Sequence, residues 1–558
     1  MISMTKTRRE APSRGISGNA CAAVRGRGRR RSSLLLLICS LALLGLASSL
    51  LGAAEMPPTR GEAAHVVLVV WDGMRPEFVS EGNTPNLWKL ARSGVTFRNH
   101  HSIYPSLTNV NSAALATGVH PARSGLIANW MFRPDLGTGK LQRTDAPEIV
   151  AKSDAASGGR YLTAATVAEL VQARGGRTAI AGTKTAPLLQ SRRAVRADGA
   201  AAKSVTVVGG KTLPPDALAN VVKLIGDFPN TDDIPNVAED TWTTRALTDV
   251  LWKDDVPEFS VLWLSEPDRT QHATAPGSEQ ALAAIKSADA NLGLIVRALD
   301  EKKVLDKTDI LLVSDHGFST IERSVDVAGF LRGNGFDIAG EKDVVLARGQ
   351  VRVAGNAGTN LYHVGEHDAA TVARLIAVLQ QSDFAGVIFA REPAEGTFPL
   401  SAIHINTASA PDVVMAFRWH AGHNSNGVAG MIAANGTGDA NKGTHGTLSP
   451  FDVHNTFIAA GPDFRRGIES NLPTANTDVA ATILHIMGIT PPEPLDGRVV
   501  SEAFTRADKD QPATSSRTLE ATRKLDRGVW RQYLQTSTVG ESLYFDEGNG
   551  EFLSEPGK

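Results

Sequence analysis

The chain has 558 residues, 42% of them hydrophobic and 21% charged, an ordinary globular composition with room for one large domain or two to three smaller ones. Its formal charge of -2 hides an uneven distribution. The first 54 residues hold 9 Lys/Arg and 1 acidic residue; taking them from the 57 basic and 59 acidic residues of the chain leaves 48 and 58, a net of -10. An acidic body excludes a general nucleic-acid-binding protein, which shows a basic face, but not a small anionic substrate handled through metals.

From the N-terminus, RGRGRRRSS precedes an apolar run from Leu34 to about Leu51, and Gly52, Ala53 and Ala54 follow. A basic segment, an apolar run and small residues make a signal peptide over 1–54. The expected location is periplasmic or secreted. About 18 apolar residues also just span a bilayer, so an uncleaved anchor is the alternative and the one route to a membrane. Both cysteines, Cys21 and Cys39, lie in this leader, so the mature protein has no disulfide, thiol nucleophile or thiolate metal site.

AHVVLVVWDGM (64–74) is a continuous apolar run ending in Asp-Gly, the pattern of a buried parallel strand with Asp72 at its C-terminal end. Similar runs recur at 177–182, 259–265, 308–317, 411–417 and 455–461, with helical patterns such as TPNLWKLARSG, TAATVAELVQARG and SEQALAAIKSADANLGLIVRAL between them. Strands alternating with amphipathic helices predict an α/β sheet covered on both faces, with its site at the C-terminal strand ends. Residues 130 to about 240 and 325 to about 440 read as insertions, the second as a cap containing a strand and helix in GNAGTNLYHVGEHDAATVARLIAVLQQ and a Gly/Asn-rich loop in NSNGVAGMIAANGTGDANKGTHG. Residues 506–520 read as a linker and LEATRKLDRGVWRQYL as a helix in a tail over 506–558.

Asp72, Asp268 and His272 in EPDRTQH, Asp315 and His316 in SDHG, and His445 in KGTHG stand at strand ends or in glycine-flanked loops. Singly, each reads as a turn residue, a surface pair on one helical turn or a loop histidine. Together they fall where an α/β fold assembles a site. Three Asp and three His form a sulfur-free ligand set for two divalent ions, zinc first, manganese or iron next. His101, His120, His420 and His423 lack such a context. Thr108, in YPSLTNV before a small-residue helical run, is a cap in the plain reading. Two metals would instead make it an alkoxide nucleophile for in-line displacement at phosphorus, with free helix N–H donors facing the phosphoryl group. Asn129, in a loop beyond that helix, suits a non-bridging phosphoryl oxygen.

With these motifs in order, and with ATGVHPARSGLIAN after the threonine and a closing PEPLDGRVVSEAF, the chain resembles the alkaline phosphatase superfamily, within it the type I phosphodiesterase/nucleotide pyrophosphatase family. The resemblance covers most of residues 64 to 505. It implies a mostly parallel central sheet with helices on both faces and inserted caps, one catalytic domain over 62–505. Thr108 would form a covalent phospho-threonine that water then hydrolyses. Asp72, Asp315 and His316 would hold one zinc, with Thr108 bridging toward it; Asp268, His272 and His445 would hold the other. Asn129 would bind a phosphoryl oxygen of a small phosphorylated substrate such as a nucleotide. Nucleotide pyrophosphatases carry an aromatic after the nucleophile, where this chain has Asn109. Relatives that act on monoesters or phosphonates place a lysine where Lys184 stands, but Ala186 replaces the arginine that the monoesterases carry two residues on. Phosphodiester or pyrophosphate cleavage comes first, with phosphomonoester or phosphonate hydrolysis, or surface phosphoryl-group transfer, as alternatives. Formylglycine sulfatase chemistry is set aside, since neither a mature cysteine nor the serine motif is present.

Overall fold

The computed structural model describes residues 60–191, 203–436, 438–506 and 512–554; the leader over 1–54 lies outside them. A nine-stranded sheet organises the α/β fold. Its strands in chain order are β1 (His65–Trp71), β2 (Val95–Phe97), β3 (Thr178–Gly182), β4 (Val205–Val208), β5 (Lys211–Leu213), β6 (Phe259–Leu264), β7 (Thr308–Val313), β8 (Phe457–Ala460) and β9 (Ile468–Ser470). They lie in the spatial order β9-β2-β8-β7-β1-β6-β3-β4-β5. The run from β7 through β1, β6 and β3 to β4 is parallel throughout. β8 and β5 pair antiparallel at its two sides.

β1 is central because both of its faces are apolar. Val66, Leu68 and Val70 enter one core with the helices Val167–Ala173 and Asn476–Ile486. Val67, Val69 and Trp71 enter the opposite core with the helix Glu279–Glu301. Each fully buried Val or Leu contributes about 1.5–3 kcal/mol relative to exposure, so a polar residue within β1 would be strongly disfavoured. The first polar side chain after the strand, Asp72, emerges where the run ends.

The stretch 130–240 contributes β3, β4 and β5 to the main sheet, because TAIAG and VTVV are apolar enough to be covered on both faces. Residues 325–440 supply all the strands of a second, five-stranded sheet. Val413–Phe417, expected beside the main-sheet strands, belongs to this second sheet and pairs antiparallel. Two further expectations are corrected. The Gly/Asn-rich stretch is not all loop: its small apolar run Ala429–Asn435 is a strand parallel to Ser319–Val325. The predicted helix in LEATRKLDRGVWRQYL is absent; Thr514–Leu525, Gly528–Val539 and Ser542–Ser554 form an antiparallel three-stranded sheet that also takes up the second half of the expected linker. Trp530, Gln532 and Leu534 are buried at every second position, the strand period, and the Gln532 amide bonds both the N–H and C=O of Ile388.

Candidate active site

Four neighbouring parallel strands deliver the site. Asp72 follows β1, Lys184 follows β3, Asp268 lies just beyond β6, and Asp315 and His316 follow β7. Since the strands run together, all these side chains gather at one edge, where polar groups can enter without crossing a core. Gly73, at φ 72°, makes the turn after Asp72. A Cβ there would sit 2.9 Å from Phe318 and 3.0 Å from the Asp268 Cβ, so the close approach of two strand ends requires glycine.

The carboxylates and imidazoles divide into the two predicted sets. Asp72, Asp315 and His316 offer ligand atoms within 4.8 Å of one another, as do Asp268, His272 and His445. Donor chemistry tests whether cations fit. Asp72 Oδ2 accepts from Trp263 Nε1 (2.9 Å). Asp315 Oδ1 accepts from the N–H groups of Gly73 (3.0 Å) and His316 (3.1 Å). Asp268 Oδ2 accepts from Lys184 Nζ. The other oxygen of each, Asp72 Oδ1, Asp315 Oδ2 and Asp268 Oδ1, is buried with no hydrogen-bond partner. Orphaned carboxylate oxygens are costly, and all three belong to the ligand sets. The histidines are presented alike. Nδ1 of His316 donates to Gly317 O (2.9 Å), that of His272 to Gly443 O (3.0 Å) and that of His445 to Ser106 O (2.7 Å). A carbonyl at Nδ1 fixes the tautomer and leaves Nε2 as a lone pair for a metal. Three carboxylates face one ammonium, Lys184, an imbalance that divalent cations offset.

The electrostatics differ among the ligands: burial alone would lower His272, but Asp268 beside it holds the imidazole above its ordinary range. Burial, then Asp315, pushes the Asp72 carboxyl well up, and burial lifts Asp315 to about 7. Burial alone would also raise Asp268, but Lys184 and His272 hold it well below the usual carboxylate range. Burial lowers His316 to about 3 and, with His316 beside it, takes His445 well below an ordinary imidazole. Unprotonated imidazole is the metal-binding form.

Thr108 begins the helix α1 (Thr108–Thr117), whose N-cap, Leu107, makes no side-chain cap. The capping role is not taken by Thr108, whose Oγ1 lies 3.1 Å from His316 Nε2, nor by Ser106, whose hydroxyl donates to Thr447 O. Asn129 Oδ1 accepts the Asn109 N–H (2.9 Å). This ties Asn129 to the first turn of α1 and leaves its NH2 as a donor. Lys184 Nζ lies 3.1 Å from Asp72 Oδ2 as well as on Asp268, so it joins one carboxylate of each set. Every predicted site residue is thus brought to one place. His101, His120, His420 and His423 join neither set.

Sequence reasoning missed a layer behind these residues. Asp145, fully buried, accepts from Asn109 Nδ2 (3.1 Å), from Thr185 Oγ1 and from both Nε (2.7 Å) and Nη2 (3.0 Å) of Arg143. It links the residue after Thr108 to the residue after Lys184. Asn356, in the second sheet, grips the Trp130 backbone through both N–H (2.8 Å) and C=O (3.0 Å). A lone Asp in QRTDAP and an Asn in a glycine-rich turn carry no periodic signal that would have marked them.

The type I phosphodiesterase/nucleotide pyrophosphatase family matches residues 66–446. A venom phosphodiesterase of Naja atra is 24% identical over 272 residues, 48% of this chain and 28% of the snake protein. Ectonucleotide pyrophosphatase/phosphodiesterase family member 1 of Homo sapiens is 24% identical over 272 residues, 47% of this chain and 24% of the human protein. The matched stretch therefore spans less than a third of these relatives. Among solved structures, murine ectonucleotide pyrophosphatase/phosphodiesterase 5 superposes with a TM-score of 0.56 at 17% identity, covering 79% of this chain and all of that one. An inactive variant of it is described in complex with AMP, with the same score, identity and coverage.

Proposed function

Because the chain belongs to the type I phosphodiesterase/nucleotide pyrophosphatase family, we propose that it is a two-metal hydrolase cleaving phosphodiester or pyrophosphate bonds through a covalent phospho-threonine at Thr108. The observation that carries this reading is the pair of ligand sets, two orphaned carboxylate oxygens in one and one in the other, with Thr108 Oγ1 against His316. Zinc suits a set of three Asp and three His. Two such ions, when bound, would supply charge neutralisation and a lowered hydroxyl pKa.

The chain's own residues supply the rest. Thr108 Oγ attacks phosphorus while the bond to the leaving oxygen breaks in line, and the proton lost from Oγ passes through solvent to the departing oxygen. Water then cleaves the Oγ–P bond and Thr108 regains its proton. The N-terminal position of Thr108 on α1 places helix N–H dipoles at the developing negative charge. Asn129, held by Asn109, donates its NH2 to a non-bridging oxygen. Lys184 balances the carboxylates and meets the extra charge of a more anionic substrate. Asn109 is buried and bonded to Thr144 and Asp145, so it does not stack on a base; exposed Trp130 (43%) is the available aromatic. The AMP held by the murine relative supports a small nucleotide-like substrate. The basic-then-apolar leader supports export to the periplasm or medium. Among the described residues no helix is long and apolar enough to cross a membrane.

The test compares kcat/KM of zinc-loaded protein on bis-p-nitrophenyl phosphate and p-nitrophenyl phosphate. Diester preference is expected. Monoester preference would move the chain to the phosphomonoesterase alternative, with Lys184 compensating for Ala186.

A further inference from the structure

The side chain nearest to being unexplained at this site is Arg143. It ends the strand Leu141–Arg143, which pairs antiparallel with Trp130–Phe132, and Trp130 stands directly opposite Arg143. Residues opposite each other in such a pair share a face. The hairpin thus presents an indole and a guanidinium side by side, one residue beyond Asn129. Thr144 N–H donates to Asn129 O (2.9 Å), and Asn356 holds Trp130 by both backbone groups, so the pair is rigidly attached to the phosphoryl-binding residue.

Arg143 is not spent in its own ion pair. The Asp145 carboxylate takes Nε and Nη2, but it also accepts from Asn109 and Thr185 and is wholly buried, while the Arg143 side chain is 49% exposed. An Arg–carboxylate fork fixes the plane of the guanidinium. Five N–H donors are available and two are used, leaving three for a ligand. Asp145 is its direct partner, and the more distant Asp268 and Asp72 add weaker electrostatic attraction.

We propose that Arg143 is a specificity residue that receives a second phosphate of the substrate, so that the site selects phosphoanhydrides over simple diesters, with Trp130 flanking the same subsite. The proposal rests on the hydrolase reading above and adds a residue and a preference to it. Planar, bidentate recognition of phosphate is what a fixed guanidinium does best. Lys184, tied to Asp72 and Asp268, serves the reacting phosphoryl group instead.

The experiment uses the full chain loaded with zinc, as wild type, Arg143→Ala and Arg143→Lys. It reads kcat/KM for ATP, which has a second phosphate beside the scissile bond, and for bis-p-nitrophenyl phosphate, which has none. The ratio of the two should fall at least about tenfold in Arg143→Ala, the scale of a charged hydrogen bond. Arg143→Lys should recover part of it. In a Thr108→Ala background, where no turnover occurs, the dissociation constant for ATP measured by calorimetry should rise by a similar factor on adding Arg143→Ala. An unchanged ratio, an equal loss on both substrates, or a wild type that cleaves the diester but not ATP would each overturn the proposal; equal loss would mean that Arg143 only holds Asp145. A wild type inactive on both substrates would refute the hydrolase reading instead.

Discussion

Asp315→Asn should reverse its effect on stability according to whether zinc is present. In the metal-free protein Asp315 Oδ1 accepts from Gly73 and His316 N–H, while Oδ2 is buried without a partner, 3.2 Å from His316 Nε2. Asparagine keeps the accepting oxygen and places an NH2 donor where the orphan was, facing the imidazole lone pair. Removing an unsatisfied buried acceptor should stabilise the metal-free variant by about 1–3 kcal/mol. Zinc changes the sign. At a hundredfold excess over its dissociation constant, each occupied site adds about 2.7 kcal/mol to wild type, so about 5 kcal/mol for two. Unfolding entropy of about 2.1 cal/mol/K per residue over roughly 500 residues converts this to about 5 °C. The variant lacks a ligand of one set and should gain about half. Calorimetric melts after chelator treatment and across a zinc titration, with elemental analysis beside them, measure both arms. A wild-type midpoint that ignores zinc, or a variant that gains as much as wild type and holds as much metal, would refute the two-cluster reasoning.

Thr108→Ala should abolish turnover and the acid-stable phosphorylated intermediate while leaving the melting temperature within a degree or so, since Thr108 makes no cap; detectable phospho-protein after quenching would remove it as nucleophile. Lys184→Ala should lower kcat/KM about tenfold on p-nitrophenyl phosphate, the worth of a charged hydrogen bond, and less on the diester; equal losses would reduce the lysine to balancing Asp72 and Asp268. At the opposite end of the sheet, Asp309 is lifted to about 9 by burial and by Asp463 beside it. A carboxyl raised in the folded state stabilises the fold below its unfolded pKa, and that stability is lost as pH rises toward 9. Asp309→Asn should therefore flatten the loss of melting temperature between pH 6 and 9, and parallel wild-type and variant curves would show that this pair does not titrate with unfolding.

The chain alone determined the ligand types and the strands that carry them. Continuous apolar runs such as 66–71 and 310–313, bounded by turn signals, read as sheet interior, and a carboxylate or imidazole just past such a run then stands at a strand end. That local logic located Asp72, Asp268, His272, Asp315 and His316; His445 was read instead from its glycine-flanked loop, KGTHG. It failed for 519–534, where LEATRKLDRGVWRQYL fits a helical and an alternating pattern almost equally. Packing of Trp530 and Leu534 against the second sheet decided for strand. It also failed for Asp145, Arg143 and Asn356, because a side chain that supports the site through contacts far along the chain leaves no local mark. Which residues share a cluster, which oxygens are left without partners, and which arginine stands beside Asn129 were decided by tertiary structure alone. Those relations are set by the spatial order of β7, β1, β6 and β3, which differs from their order in the chain.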